Sequence, residues 1–177
     1  MRVCGVDCGT ETTGYGIVEC DERSTRASQA PRLVSLDSGG ICPPRKAPLP
    51  ERLAFIYAQL SALLERHRPD VVAVEEVFYS VNAKSAIKLG HVRGVVLLAA
   101  ATAGIPVAEY APLTIKATVT GYGLAAKQQV QFMVARLLTL AQAPEPADAA
   151  DALAIAICHI HTAETQLAQS LTLQELR

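Results

Sequence analysis

Arg2-Val3-Cys4-Gly5-Val6-Asp7-Cys8-Gly9-Thr10 opens the chain, and Thr13-Gly14-Tyr15-Gly16-Ile17-Val18-Glu19-Cys20 follows at once. The apolar run Val3 to Val6 reads as a buried strand over residues 2–8 that ends at a carboxylate. Residues 9–14 supply a turn, and residues 14–20 an antiparallel partner. A second apolar run, Val71-Val72-Ala73-Val74, ends in the same way on Glu75. Open α/β sheets build their sites at the carboxyl ends of strands, so Asp7 and Glu75 are expected at one edge. Neighbouring strand residues face opposite ways, so only one of Glu75 and Glu76 faces that site, and an all-apolar run gives no alternation to choose between them.

Asp148 and Asp151 stand three apart in an Ala-rich segment. On a helix they project from one face. The alanines around them let that helix approach a sheet closely. Buried acids with no basic neighbour in sequence repel one another unless divalent cations hold them together. Four carboxylates from three segments therefore point to a Mg²⁺ site, since hard cations take oxygen ligands.

Outward from these segments, residues 32–41 read as a third strand, stopped by the Pro-rich stretch 43–50. The polar stretch 21–31 is a hairpin tip or loop. Leu53, Ile56, Tyr57, Leu60, Leu63 and Leu64 recur at helical spacing across residues 50–67. Helices are expected at 83–103, 126–140 and 147–163, with a fifth strand at 105–110. The order βββαβαβαα implies an α/β fold with a mixed five-stranded sheet flanked by helices. One domain is expected over residues 1–163, with residues 164–177 a tail, either a short helix or disordered.

Composition sets bounds on function. Of 177 residues, 50% are hydrophobic and 5% aromatic, and Trp is absent, so Val, Ile, Leu and Ala must fill the core. Five cysteines without framework spacing argue against secreted disulfides. No uninterrupted apolar stretch reaches about 18 residues and no signal pattern opens the chain, so a cytoplasmic protein without a membrane partner is expected. The net charge of −1 argues against a nucleic-acid binder, but setting four chelating carboxylates aside turns it into +3.

Taken in order, Gly5-Val6-Asp7-Cys8-Gly9-Thr10 with Thr13-Gly14-Tyr15-Gly16, Glu75-Glu76-Val77-Phe78, Asn82-Ala83-Lys84-Ser85-Ala86, Lys88-Leu89-Gly90-His91-Val92-Arg93-Gly94 and the run Ala147 to Ala156 form a set. This set resembles the RuvC-type Holliday junction resolvases, ribonuclease H-like nucleases of bacteria, over roughly residues 1–161. The resemblance implies a ribonuclease H-like fold and a Mg²⁺-dependent crossover junction endodeoxyribonuclease. Such an enzyme resolves four-way DNA junctions by paired, symmetric nicks during recombination and repair. It implies that Asp7, Glu75, Asp148 and Asp151 are the catalytic, metal-binding acids, holding two Mg²⁺ per subunit with Mn²⁺ as a substitute. The Glu-x-Val-Phe pattern selects Glu75 over Glu76.

The same resemblance makes Phe78 an aromatic at the open junction, where stacking on an unpaired base is worth about 1–3 kcal/mol. Lys116 and Lys127 match basic positions needed for cleavage, and Lys84, Lys88 and Arg93 are expected on the DNA backbone. A homodimer is implied, with the apolar helix 83–103 as an interface element, because two opposed nicks need two sites related by a two-fold axis. Partnership with a branch-migration motor of RuvA and RuvB type is implied too. The sequence departs from the family at Cys8, where Pro is common, and Cys adds a soft atom near the metals.

Other readings compete. Asp7-x-Gly9-Thr10 also resembles the first phosphate loop of actin-like and sugar-kinase-like ATPases, but those need two such domains and further Gly-rich motifs absent here. A junction binder without catalysis would not keep four repelling acids. Cys158-His159-x-His161 suggests zinc, but it lacks a second ligand pair. A histidine near the negative end of a helix is the plainer account.

Overall fold

The computed structural model describes residues 1–21, 32–76 and 83–175. Five strands, β1 (Arg2–Asp7), β2 (Thr13–Asp21), β3 (Arg32–Ile41), β4 (Val71–Glu75) and β5 (Val107–Tyr110), form one sheet in the order β3-β2-β1-β4-β5. The leading three strands pair antiparallel, while β1–β4 and β4–β5 are parallel. Around the sheet pack α1 (Leu49–His67), α2 (Ala83–Thr102), α3 (Pro112–Thr120), α4 (Lys127–Leu137) and α5 (Ala147–Glu175).

Helices cover both faces, which explains why β1 and β4 are apolar without interruption. The two-residue period of a strand sorts their side chains. Cys4, Val6, Ile17, Val72 and Val74 join α1 and α2 in one core. Val3, Val18 and Ala73 join α3, α4 and α5 in the other. By the same parity Asp7 falls in with Val3 and Gly5, and Glu75 with Ala73, on the α5 side of the sheet. The parity of β4 therefore chooses Glu75, and Glu76 lies exposed beyond the strand.

From Ala149 to Ile160, α5 is buried nearly all round, apart from Asp151 and His159. A helix apolar on every side must be enclosed, and this one runs between the sheet and the α3–α4 pair. Residues 165–170 turn their side chains to solvent, yet the helix continues to Glu175. Residues 164–175 are thus part of α5, and no Gly or Pro interrupts them. The Cys158-His159-x-His161 stretch lies mid-helix, so the helix-end account of its histidines fails. Cys158 is buried, and the Tyr110 hydroxyl and His159 Nδ1 are hydrogen-bonded at 2.8 Å.

Helix α3 departs from expectation, which left residues 111–125 without an element. Its Thr, Ile and Val residues are poor helix formers. Pro112 at the first helical turn was the signal for it. Helix α2 departs in another way. The window Ser85–Thr102 is long and apolar enough to cross a membrane by length and composition, although Lys88, His91 and Arg93 interrupt it. Only 22% of that window is buried, and Ile87 and Leu98 are 62% and 57% exposed.

Candidate active site

Asp7 is the last residue of β1. The β1–β2 ladder still includes it, paired with Gly14, whereas the β1–β4 ladder ends at Val6 and Val74. The two parallel strands thus stop pairing where their acids begin, and a cleft of about 180 Å³ lies there, lined by Asp7, Glu75, Lys116, Lys127 and Asp151. Carboxylate oxygens of Asp7, Asp148 and Asp151 lie within 4.8 Å of one another. This is the one such gathering of metal-ligating groups among the described residues, and it excludes the Cys158 and His159 pair.

The helix-borne acids reach the strand-borne ones because the sheet has no side chains in their way. A Cβ at Gly5 would overlap the carbonyl oxygen of Ala152, and one at Gly14 the carbonyl oxygen of Asp148. One at Gly16 would lie 2.7 Å from the Leu153 side chain. The alanines of α5 are half of this close approach and the glycines of β1 and β2 the other half. Sequence reasoning saw only the first half.

The turn after Asp7 is tied down from two sides. Thr13, a buried polar residue, donates its hydroxyl to the Gly9 carbonyl at 3.0 Å. Arg52 of α1 donates to the Thr10 carbonyl and to Glu11 Oε1 at 3.3 Å.

The electrostatics are those of an acid cluster only partly compensated by lysine. Burial, then the charges of Asp151, Glu75 and Asp148, push the Asp7 carboxyl up to about 7. Burial and Asp151 raise Glu75 as well, while Lys116 and Lys127 oppose the rise. Lys127 Nζ lies 2.5 Å from Asp151 Oδ2, and that hydrogen bond raises its own pKa. The ammonium is a partial stand-in for a cation. Half-buried carboxylate oxygens this close, with one lysine among them, suit a hard divalent ion better than a proton. Cys8 does not contribute to the gathering, and burial, followed by the Asp7 charge, drives its thiol up to about 12.

Lys116 and Lys127 line the cleft with the acids. Lys88 is exposed and lines a neighbouring pocket with Thr10, Glu11 and Arg52. Arg93, further along the same helix, is largely enclosed. Its side chain is 12% exposed, with one guanidinium nitrogen 3.2 Å from the Glu75 carbonyl and another on the Glu109 carboxylate. The helical pitch carried the signal, since five residues on from Lys88 is about 140° further round the helix. Phe78 lies outside the described residues, as does the side chain of Lys84.

The sequence pattern of the family described as crossover junction endodeoxyribonuclease RuvC matches residues 3–159. A relative of that name from Acidobacterium capsulatum is 69% identical over 169 residues, covering 96% of this chain and 98% of its own. Among solved structures, Thermus thermophilus RuvC superimposes with a TM-score of 0.84 at 37% identity, covering 94% of this chain and 97% of its own. The same Thermus protein in complex with Holliday junction substrate gives 0.81 at 34% identity, over 93% of this chain and 96% of its own.

Proposed function

The chain belongs to the RuvC family of crossover junction endodeoxyribonucleases, and from that premise we propose how its cleft performs the reaction. The protein is an endonuclease of recombination and repair that binds Holliday junctions and cuts them. The phosphate-loop ATPase and the non-catalytic binder are not favoured by this membership. The observation that carries the mechanism is the meeting of strand-borne and helix-borne carboxylates at one sheet edge.

Asp7, Glu75, Asp148 and Asp151 hold the metal, with Mg²⁺ as the physiological ion and two ions per subunit. Ions held by these four carboxylates would supply Lewis-acid chemistry, lowering the pKa of a nucleophilic water and offsetting negative charge on the leaving oxygen. The rest of the work falls to the chain itself. Lys127, drawn to Asp151 in the free protein, offers its charge to the scissile phosphate. Lys116, which also lines the cleft, does the same. Lys84 and Lys88 bind the DNA backbone, and Phe78 stacks at the open crossover.

Two symmetric nicks require two such sites, and a homodimer supplies them. The exposed apolar side of α2, with Ile87 and Leu98, is the surface we assign to the second copy. A soluble, cytoplasmic enzyme acting with a RuvA and RuvB type motor completes this reading.

The test is nicking of a synthetic four-way junction in Mg²⁺, with Asp7→Asn beside the unmodified protein. The expected result is paired, ligatable nicks, reduced by at least about 1,000-fold in the variant, with junction binding retained. Equal cleavage by the variant would remove Asp7 from the site.

A further inference from the structure

We infer that Arg93 is a positioning residue for the metal site, fixing Glu75 through its backbone, and does not bind DNA. This rests on the reading of Glu75 as a metal ligand.

The argument begins with the ladders. Glu75 is the last residue of β4, and its pairing with β1 has already ended one residue earlier. On the other side, Glu75 is in register with Tyr110, and Glu76 N donates to the Tyr110 carbonyl at 2.8 Å. Because Glu76 turns its backbone groups to β5, Glu75 before it turns its own to the opposite side, toward β1. The Glu75 carbonyl thus points out past the end of the β1–β4 ladder, where Arg93 Nη1 meets it at 3.2 Å. The other arm of the guanidinium is paired with Glu109, which is in register with Val74.

One side chain from α2 therefore spans the ends of β4 and β5. The guanidinium fork suits this task because it is planar and holds two acceptors at fixed angles. Glu109 neutralises the charge, so Arg93 adds little field at the cleft while it fixes the strand end. A ligating carboxylate is only as well placed as the backbone that carries it, and loss of such supporting contacts typically costs about 10–100-fold in metal affinity or activity. The clamp also joins Glu75 to the helix that bears Lys84 and Lys88, the residues assigned to the DNA backbone.

The probe is Mn²⁺ binding to the metal-free full chain, read by titration calorimetry or by its electron paramagnetic resonance signal. Junction affinity without metal and thermal unfolding are measured alongside. The variants are Arg93→Ala, Arg93→Lys and Glu109→Gln. Arg93→Ala is expected to weaken Mn²⁺ binding about 10–100-fold and lower kcat to match, with metal-free junction affinity within about 2-fold. Arg93→Lys is expected to stay deficient in Mn²⁺ binding, because a point charge cannot hold both acceptors. Glu109→Gln should show a smaller loss of the same kind.

A DNA-backbone role predicts the reverse, with weaker junction binding in Arg93→Ala, rescue by Arg93→Lys and unchanged Mn²⁺ affinity. That pattern overturns the inference. A merely structural role would lower the melting temperature and leave Mn²⁺ affinity of the folded fraction intact, and this overturns it too. If Arg93→Ala does not fold, Arg93→Lys and Glu109→Gln decide by the same readouts. Failure of the unmodified protein to bind Mn²⁺ would instead sink the metal-site reading, and Asp7→Asn run in parallel separates the two failures.

Discussion

The acids of the cleft come in two pairs that the fold places by different means. Asp7 and Glu75 end strands, and their positions follow from ladder register, side-chain parity and clamps on the following backbone. Asp148 and Asp151 ride on a helix that has no ladder to register it. What positions them is contact at a surface stripped of side chains, where Gly5, Gly14 and Gly16 let α5 descend onto β1 and β2. Hydrogen bonds hold the first pair, and steric permission admits the second. Strand-borne acids should thus be sensitive to lost partners, and helix-borne acids to added atoms.

The sharpest way to break this contrast is Gly14→Ala. The new methyl would meet the Asp148 carbonyl, and backbone on both sides cannot yield as a flexible side chain would. A shift of α5 by about 1 Å is enough to cost about 100-fold in cleavage, and overpacking should cost about 1–3 kcal/mol of stability. Nicking rates and thermal unfolding check both. Near-normal cleavage by Gly14→Ala would show that the helix acids tolerate displacement and that the contrast is false.

A second test concerns the burial of the acids and, after it, the repulsion between the pairs. An acid whose pKa rises on folding binds more protons folded than unfolded, so its stabilisation is full below the unfolded value and is lost as pH climbs through the folded one. For Asp7 that window runs from its ordinary 3.8 to about 7, and the raised Glu75 acts in the same direction. The metal-free protein should therefore lose several degrees of melting temperature between about pH 5 and pH 8. Asp7→Asn should flatten the decline and melt higher than the unmodified protein at pH 8, and added Mg²⁺ should restore the unmodified protein there. A flat profile without metal would mean that neither burial nor the opposite pair raises the Asp7 carboxyl.

The smallest effect is expected at Cys8. Its thiol is held protonated and contributes no atom to the gathering of ligands. Cys8→Ser should leave the ratio of Mg²⁺- to Mn²⁺-supported cleavage within about 2-fold. A large change in that ratio would make Cys8 a ligand and add a sulfur to the strand-borne set.

Much of this was legible in the chain. Apolar runs ending in Asp7 and Glu75 were readable because a strand buried on both faces has to be apolar throughout, and a carboxylate at its end then stands out. The Asp148–Asp151 spacing was readable because helical pitch is fixed. The parity that separates Glu75 from Glu76 was hidden, since it depends on which helices cover which face. Helix α3 was obscured by β-branched residues whose burial, at Ile115 and Val119, outweighs their propensity.

What the sequence by itself determined is the inventory and its local order: four acids, the elements that carry them and the lysines nearby. Only the tertiary structure decided how near the two pairs come, since that distance depends on glycines from one segment meeting alanines from another. It also decided which groups Arg93 pairs with. Local sequence shows a basic residue on a helix with other basic residues, but the partner that claims its charge, Glu109, is 16 residues away and arrives on a different strand. Propensity and periodicity act along the chain, whereas steric clearance and charge pairing act across it, and the site is built from the second kind.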